Sequence, residues 1–234
     1  MVHTGRQRRA LSVYAKFISH NMSISALLAR SFQMQIGDMF LDHFSVATLG
    51  RASIDAALMV MYITEPRLDL DSWNLRRHVL FLHDLCNRKR FLSAASKESG
   101  LRDAGLDGYE PSKARLRQQI SIFANKLGYD EAKISEFQKG NLVFICGARS
   151  AAREAGWSAH RFEFFQSYFS AFVHSHPVSY MRADEHKISF QTPSDFQYDL
   201  CRYVLDAITS YSEDVIKRMD AFSVVEGDPL GQVT

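Results

Sequence analysis

The sequence predicts an all-α protein, an irregular multi-helix bundle of six to eight helices. Three observations lead there. Only five prolines interrupt the 234 residues, so long stretches lack the residue that breaks helices. Apolar positions between the few breakers recur with helical spacing. No Asn-Gly or similar dipeptide joins two alternating runs, so no hairpin is signalled.

Taken in order, residues 1–10 read as a flexible basic arm, and residues 11–20 as a short helix. Residues 24–44 form an amphipathic pattern. A second long pattern covers residues 46–64 and stops at Glu65-Pro66, because the residue before proline avoids the helical region. The third runs from about Asp71, read as its N-cap, to about Ser96. Gly100, Gly105 and Gly108 mark a loop. Pro111 suits a first helical position, and the helix it opens ends at Gly128. A short helix covers residues 130–139, and the apolar run 141–146 reads as helix or irregular chain. Residues 148–155 form a brief helix closed by Gly156. Ser158 caps an aromatic-rich helix that stops before Pro177, and Thr192 or Ser194 caps a last long helix to about Phe222. The expected layout is a basic arm (1–10), one helical domain (11–222) and a flexible tail (223–234).

Composition narrows the class. With 46% hydrophobic and 12% aromatic residues, the chain has ample material for a core and is not a disordered protein. A net charge of +2 favours no charged partner by itself. The three cysteines are odd in number and far apart, without zinc or redox spacing, which reads as a reduced, cytoplasmic setting. No signal-peptide pattern opens the chain. The most apolar segment, residues 56–63, is too short to span a bilayer, so no membrane partner is expected.

Three constellations carry candidate chemistry. Arg51 and Asp55 lie four apart on one face of an apolar helix, where a charge must be matched; they read as an internal ion pair or as a polar pocket facing phosphate or carboxylate. Ser170 and His174 share a helical face, which admits a Ser–His dyad without a nameable acid or oxyanion loop. His174 and His176 invite a metal reading, but two positions apart on a helix point about 200° away from each other, so neither metal nor cofactor is expected. In RRHVLFLHDLCNRKR, Arg77 and His83 match the loose R-x(4–6)-H pattern of HEPN ribonucleases. Arg76 with the same His83, and Arg153 with His160, match it too, so the pattern lacks specificity, and the segment reads equally as a solvated basic face.

Two segments together carry a resemblance. GRASIDAALMVMYITEP resembles the R-x-x-[FI]-[ED] helix of an uncharacterised bacterial all-α family, a domain of unknown function. AAREAGWSAHRFEFFQSYFSAFVHSHPVSYMR resembles that family's tryptophan, its aromatic helix with Y-x-x-x-S-x-x-V-H, and the small residues that follow. Trp157, Ser158, Phe165 or Phe169, Ser170, Val173 and His174 stand at those positions, with Asp55 in place of the more usual Glu. The family resembles HEPN-like helical bundles. The resemblance implies a HEPN-like core of four or five helices, a candidate homodimer, and a role on RNA or nucleotides in bacterial toxin or phage-defence settings. It also implies that Arg51, Asp55, Ser170 and His174 converge in one pocket. The alternative expectation is a non-enzymatic helical binding or regulatory module with a structural Arg/Asp/His network.

Overall fold

A computed structural model describes residues 4–33, 41–99, 108–189, 191–224 and 226–231. Among them the chain is all-helical, with no strand. The helices are α1 (Gly5–Gln33), α2 (His43–Ile63), α3 (Leu70–Ser99), α4 (Tyr109–Lys126), α5 (Glu131–Phe137), α6 (Gly147–Glu154), α7 (Ala159–Val173) and α8 (Asp195–Phe222), with a 3-10 turn at Pro177–Ser179. The chain divides into two compact units: Met1–Glu65 with Arg149–Thr234, and Pro66–Ala148.

In the first unit α2 is central, packed against α1, α7 and α8. By length and composition alone it is apolar enough to cross a membrane, unlike the short run expected, because the apolar stretch extends back to His43. About two thirds of it is covered by the surrounding helices, as befits a core helix. Gly50 lets α8 approach closely: a Cβ there would lie 2.6 Å from Val204 Cγ1. Asp42 opens α2 by accepting from the Ser45 N–H at 3.0 Å.

The helix ends mostly follow their sequence signals. Ser158 and Asp130 accept backbone N–H groups of α7 and α5. At the start of α8, Gln197 Oε1 accepts from the Ser194 N–H at 3.0 Å. Gly128 and Gly156 take left-handed φ, and the residues after them bond back to Ala124 O and Ala152 O, satisfying the last carbonyls of the preceding turn. At α3 the cap is Asp69, which accepts from Ser72 N at 2.7 Å; Asp71 lies inside the first turn and pairs with Lys126. The break expected after residue 20 is absent, and α1 runs unbroken. Expected helix over residues 34–40 and the loop glycines Gly100 and Gly105 lie outside the described residues. Residues 141–146 are irregular.

The second unit packs α3, α4 and α5 around Leu75, Val79, Leu82, Ile120, Ala124, Ile134 and Phe137. Gly140, at φ +77, must be glycine twice over, since a Cβ would also meet Cys86 Sγ at 2.5 Å.

The two chain ends depart most from expectation. Helix α1 begins at Gly5, inside the expected arm, and Thr4 and Gln7 cap it reciprocally: Thr4 N–H donates to Gln7 Oε1 and Gln7 N–H to Thr4 Oγ1, each at 3.0 Å. Arg6 is only 3% exposed and Asp228, in the expected tail, 5%. The guanidinium donates to Asp228 Oδ1 at 2.9 Å, Ile63 O at 2.7 Å and Glu65 O at 2.8 Å, and it lies over the Phe222 ring. Thr4 Oγ1 donates to the other Asp228 oxygen at 2.6 Å. Gln7 Nε2 donates to Phe222 O and Val224 O, closing the carbonyl end of α8. Arg218 stands 3.7 Å from the buried Glu65 carboxylate. A run of basic residues at a chain start ordinarily reads as solvated; here one of them is the buried tie between both ends.

Removing one member leaves the other charge buried and unmatched, which costs about 3–5 kcal/mol. Asp228→Ala and Arg6→Ala are therefore each expected to lower unfolding free energy by about that amount in urea melts, while Arg8→Ala, an exposed neighbour, changes it little.

Candidate functional site

The residues singled out by sequence come together in part. On α2, Arg51 pairs with Asp55 one turn on, and its Nε donates to Ser170 Oγ on α7 at 3.0 Å. The Arg51 side chain is 17% exposed and Asp55 49%. The set thus bridges α2 and α7 at the edge of their interface, beside an aromatic packing of Phe44 on Phe172. The Arg51 charge faces the Asp55 carboxylate and its Nε is taken by Ser170, which favours the internal-pair reading over an open phosphate seat.

His174 forms no side-chain bond to this set among the described residues. It caps α7, its N–H bonding to Ser170 O at 3.1 Å, so Ser170 and His174 are linked through backbone while the serine hydroxyl faces Arg51. The expected 200° separation of the two histidines also fails. The helix ends at Val173, Ser175 takes φ +50, and His176 N–H reaches back to Ala171 O at 2.9 Å. This left-handed cap turns the rings onto one side, stacked with centroids 5.6 Å apart. Both side chains are exposed. Among the described residues no three His, Cys, Asp or Glu gather to hold a metal ion.

In the second unit Arg77 and His83 are six residues apart on the single helix α3, which sets them about 120° apart around its axis. His83 instead meets the Asn87 amide at 3.0 Å, and Asn87 Oδ1 accepts from Arg90. Burial, then the nearby Arg90 charge, lowers the His83 pKa, which favours the neutral ring. The surrounding cations are partly matched: Arg88 pairs with Asp84, and Lys89 with Glu110. Lys89 and Lys113 both lie over the Tyr109 ring, at 4.2 and 5.4 Å, and burial pushes the Tyr109 hydroxyl up to about 12.

Sequence reasoning missed one buried polar cluster. His43 and Gln197 are both fully buried. Gln197 Nε2 meets His43 Nδ1 at 3.2 Å, while its oxygen accepts from Ser189 and Ser194 N–H groups, pinning the segment before α8. Burial lowers the His43 pKa against small raising effects from Leu41 O and Asp42. Burial pushes the Cys201 thiol, one turn after Gln197, up to about 12, which makes it a packing group rather than a nucleophile. No spacing rule signals this cluster, because its partners are 154 residues apart. The three cysteines are free.

Comparison of the chain with protein-family models, with curated proteins and with solved structures finds no match.

A histidine held neutral by burial makes the unfolded state the better proton acceptor below the ordinary value of 6.5. Its contribution is therefore complete above that pH and is lost as pH falls through it, at up to about 1.4 kcal/mol per pH unit for each such group. Melting temperature is expected to drop between about pH 7 and about pH 5, and His43→Asn to flatten that slope.

Proposed function

We propose that the chain is a non-enzymatic helical binding or regulatory module, in which Arg51, Asp55 and Ser170 join α2 to α7. One observation carries this reading: the Arg51 guanidinium is ion-paired with Asp55 and donates to Ser170, while His174, the histidine of the expected pocket, faces solvent beside His176. A half-exposed carboxylate and a serine satisfied by arginine form a latch, and neither is poised to attack a substrate.

A second reading is supported by charge. Residues 66–148 hold fourteen Lys and Arg against ten Asp and Glu, a net +4, while the rest of the chain is −2. An excess of cations on one unit favours a polyanion, in keeping with a HEPN-like cytoplasmic protein, monomeric or homodimeric, acting on RNA or nucleotides in a bacterial defence setting. On that reading Arg77 and His83 act as phosphate holder and proton-transfer group.

The two part cleanly. The module reading expects Arg51→Ala to lower stability by about 1–3 kcal/mol, the cost of orphaning its partners, and purified protein to leave RNA uncut. Metal-independent RNA cleavage that disappears in Arg51→Ala with unchanged melting would contradict it. Cleavage lost in His83→Ala alone would instead establish the second reading.

A further inference from the structure

A groove of about 710 Å³ opens between α1 and α2, within the range of roughly 300–1,000 Å³ typical of small-molecule sites. Its walls are apolar, from Ala26 and Leu27 on α1 and Phe44 and Leu49 on α2. Its polar groups are few: Arg30, and the hydroxyls of Ser45 and Thr48, with Ser23 turned back to Ser19 O. The helices run antiparallel, since Arg6 meets Ile63 and Asn21 meets Ser53. Arg30 therefore comes level with the first turn of α2, where Phe44 and Ser45 lie. Among the described residues Arg30 has no carboxylate partner and the Ser45 and Thr48 hydroxyls form no bond. The nearby Asp42 carboxylate is engaged by the Ser45 N–H. The groove thus has an unpaired cation with a hydroxyl at one end and hydrocarbon along its length. From Ser23 to Arg30 the α1 wall spans roughly 10 Å at 1.5 Å per residue.

We propose that this groove binds a small amphiphilic carboxylate of medium chain length, its apolar chain along Ala26, Leu27 and Leu49 and its carboxylate at Arg30 and Ser45. Arginine suits that head group because its planar donors match a carboxylate pairwise. The hydrocarbon gains by leaving water for the apolar walls. The inference deepens the binding-module reading by naming a ligand, but it does not depend on Arg51 being a latch: RNA assays test that reading, and the ligand titration below tests this one.

The experiment is calorimetric titration of the full chain with octanoate, octylamine and octanol, with melting followed in parallel. Octanoate is expected to bind and raise the melting temperature, octylamine not to bind, and octanol to bind more weakly than octanoate. Arg30→Ala is expected to weaken octanoate roughly tenfold, the value of one charge-assisted bond. Ala26→Trp, at an exposed position of α1, is expected to fill the groove and abolish binding while the fold melts normally. No octanoate binding, equal binding of octylamine, or indifference to both substitutions overturns the proposal. So does Arg30-dependent binding to anionic phospholipid vesicles without binding of free octanoate.

Discussion

The first unit depends on one buried ion pair. Arg6 and Asp228 are separated by 222 positions in sequence and by 2.9 Å in space. Neither charge has water to fall back on, so the pair is tolerable only because bonds from Thr4, Ile63 O and Glu65 O surround it. Such an arrangement need not add much net stability over an apolar packing, but it is costly to break and specific in geometry. It fixes the start of α1, the end of α2 and the chain after α8 at one point. Residues 66–148 interrupt this unit in sequence, so the tie that closes it must be long-range. Gln7 extends it by accepting the role of cap for α8, and Arg218 brings a second cation to Glu65.

Most helices were legible because their signals are local. Ser158, Asp130, Gly128, Gly156 and Pro177 each act within one turn, and the sequence shows all of them. The failures share a different cause. Arg6 sits in RQRR, and a charge cluster reads as solvated unless its distant partner is known; Asp228 carries no local mark at all. The Thr4–Gln7 spacing, a capping pair three residues apart, is a local signal for helix before residue 11 that the reading of residues 1–10 as an arm passed over. The division into two units has no Pro- or Gly-rich linker to signal it, since α3 starts a few residues after α2 ends.

The candidate site divides the same way. Arg51 with Asp55 is an i,i+4 pair and was readable from spacing, whereas Ser170 as the third member came from a resemblance. The stacking of His174 with His176 was missed because the helical period was carried past the end of α7: beyond the left-handed Ser175, side-chain direction no longer follows the period, and His176 comes beside His174. Arg77 and His83 match a pattern that constrains spacing without constraining the face of the helix. The buried His43–Gln197 contact and the groove at Arg30 depend on how α1, α2 and α8 pack, which no single segment encodes. The polar groups that do converge bond helix to helix, Arg51 of α2 to Ser170 of α7 and Gln197 of α8 to His43 of α2.

Hydrogen exchange in the native protein tests the central tie most directly. If Arg6 and Asp228 hold the chain ends as described, the amides of Gln7 and Arg8, bonded to Thr4 Oγ1 and Thr4 O, exchange as slowly as those in the middle of α2, opening only with the unit as a whole. Exchange of these amides at the rate of an unstructured peptide, with α2 still protected, would contradict it and return residues 4–10 to the status of a loose arm.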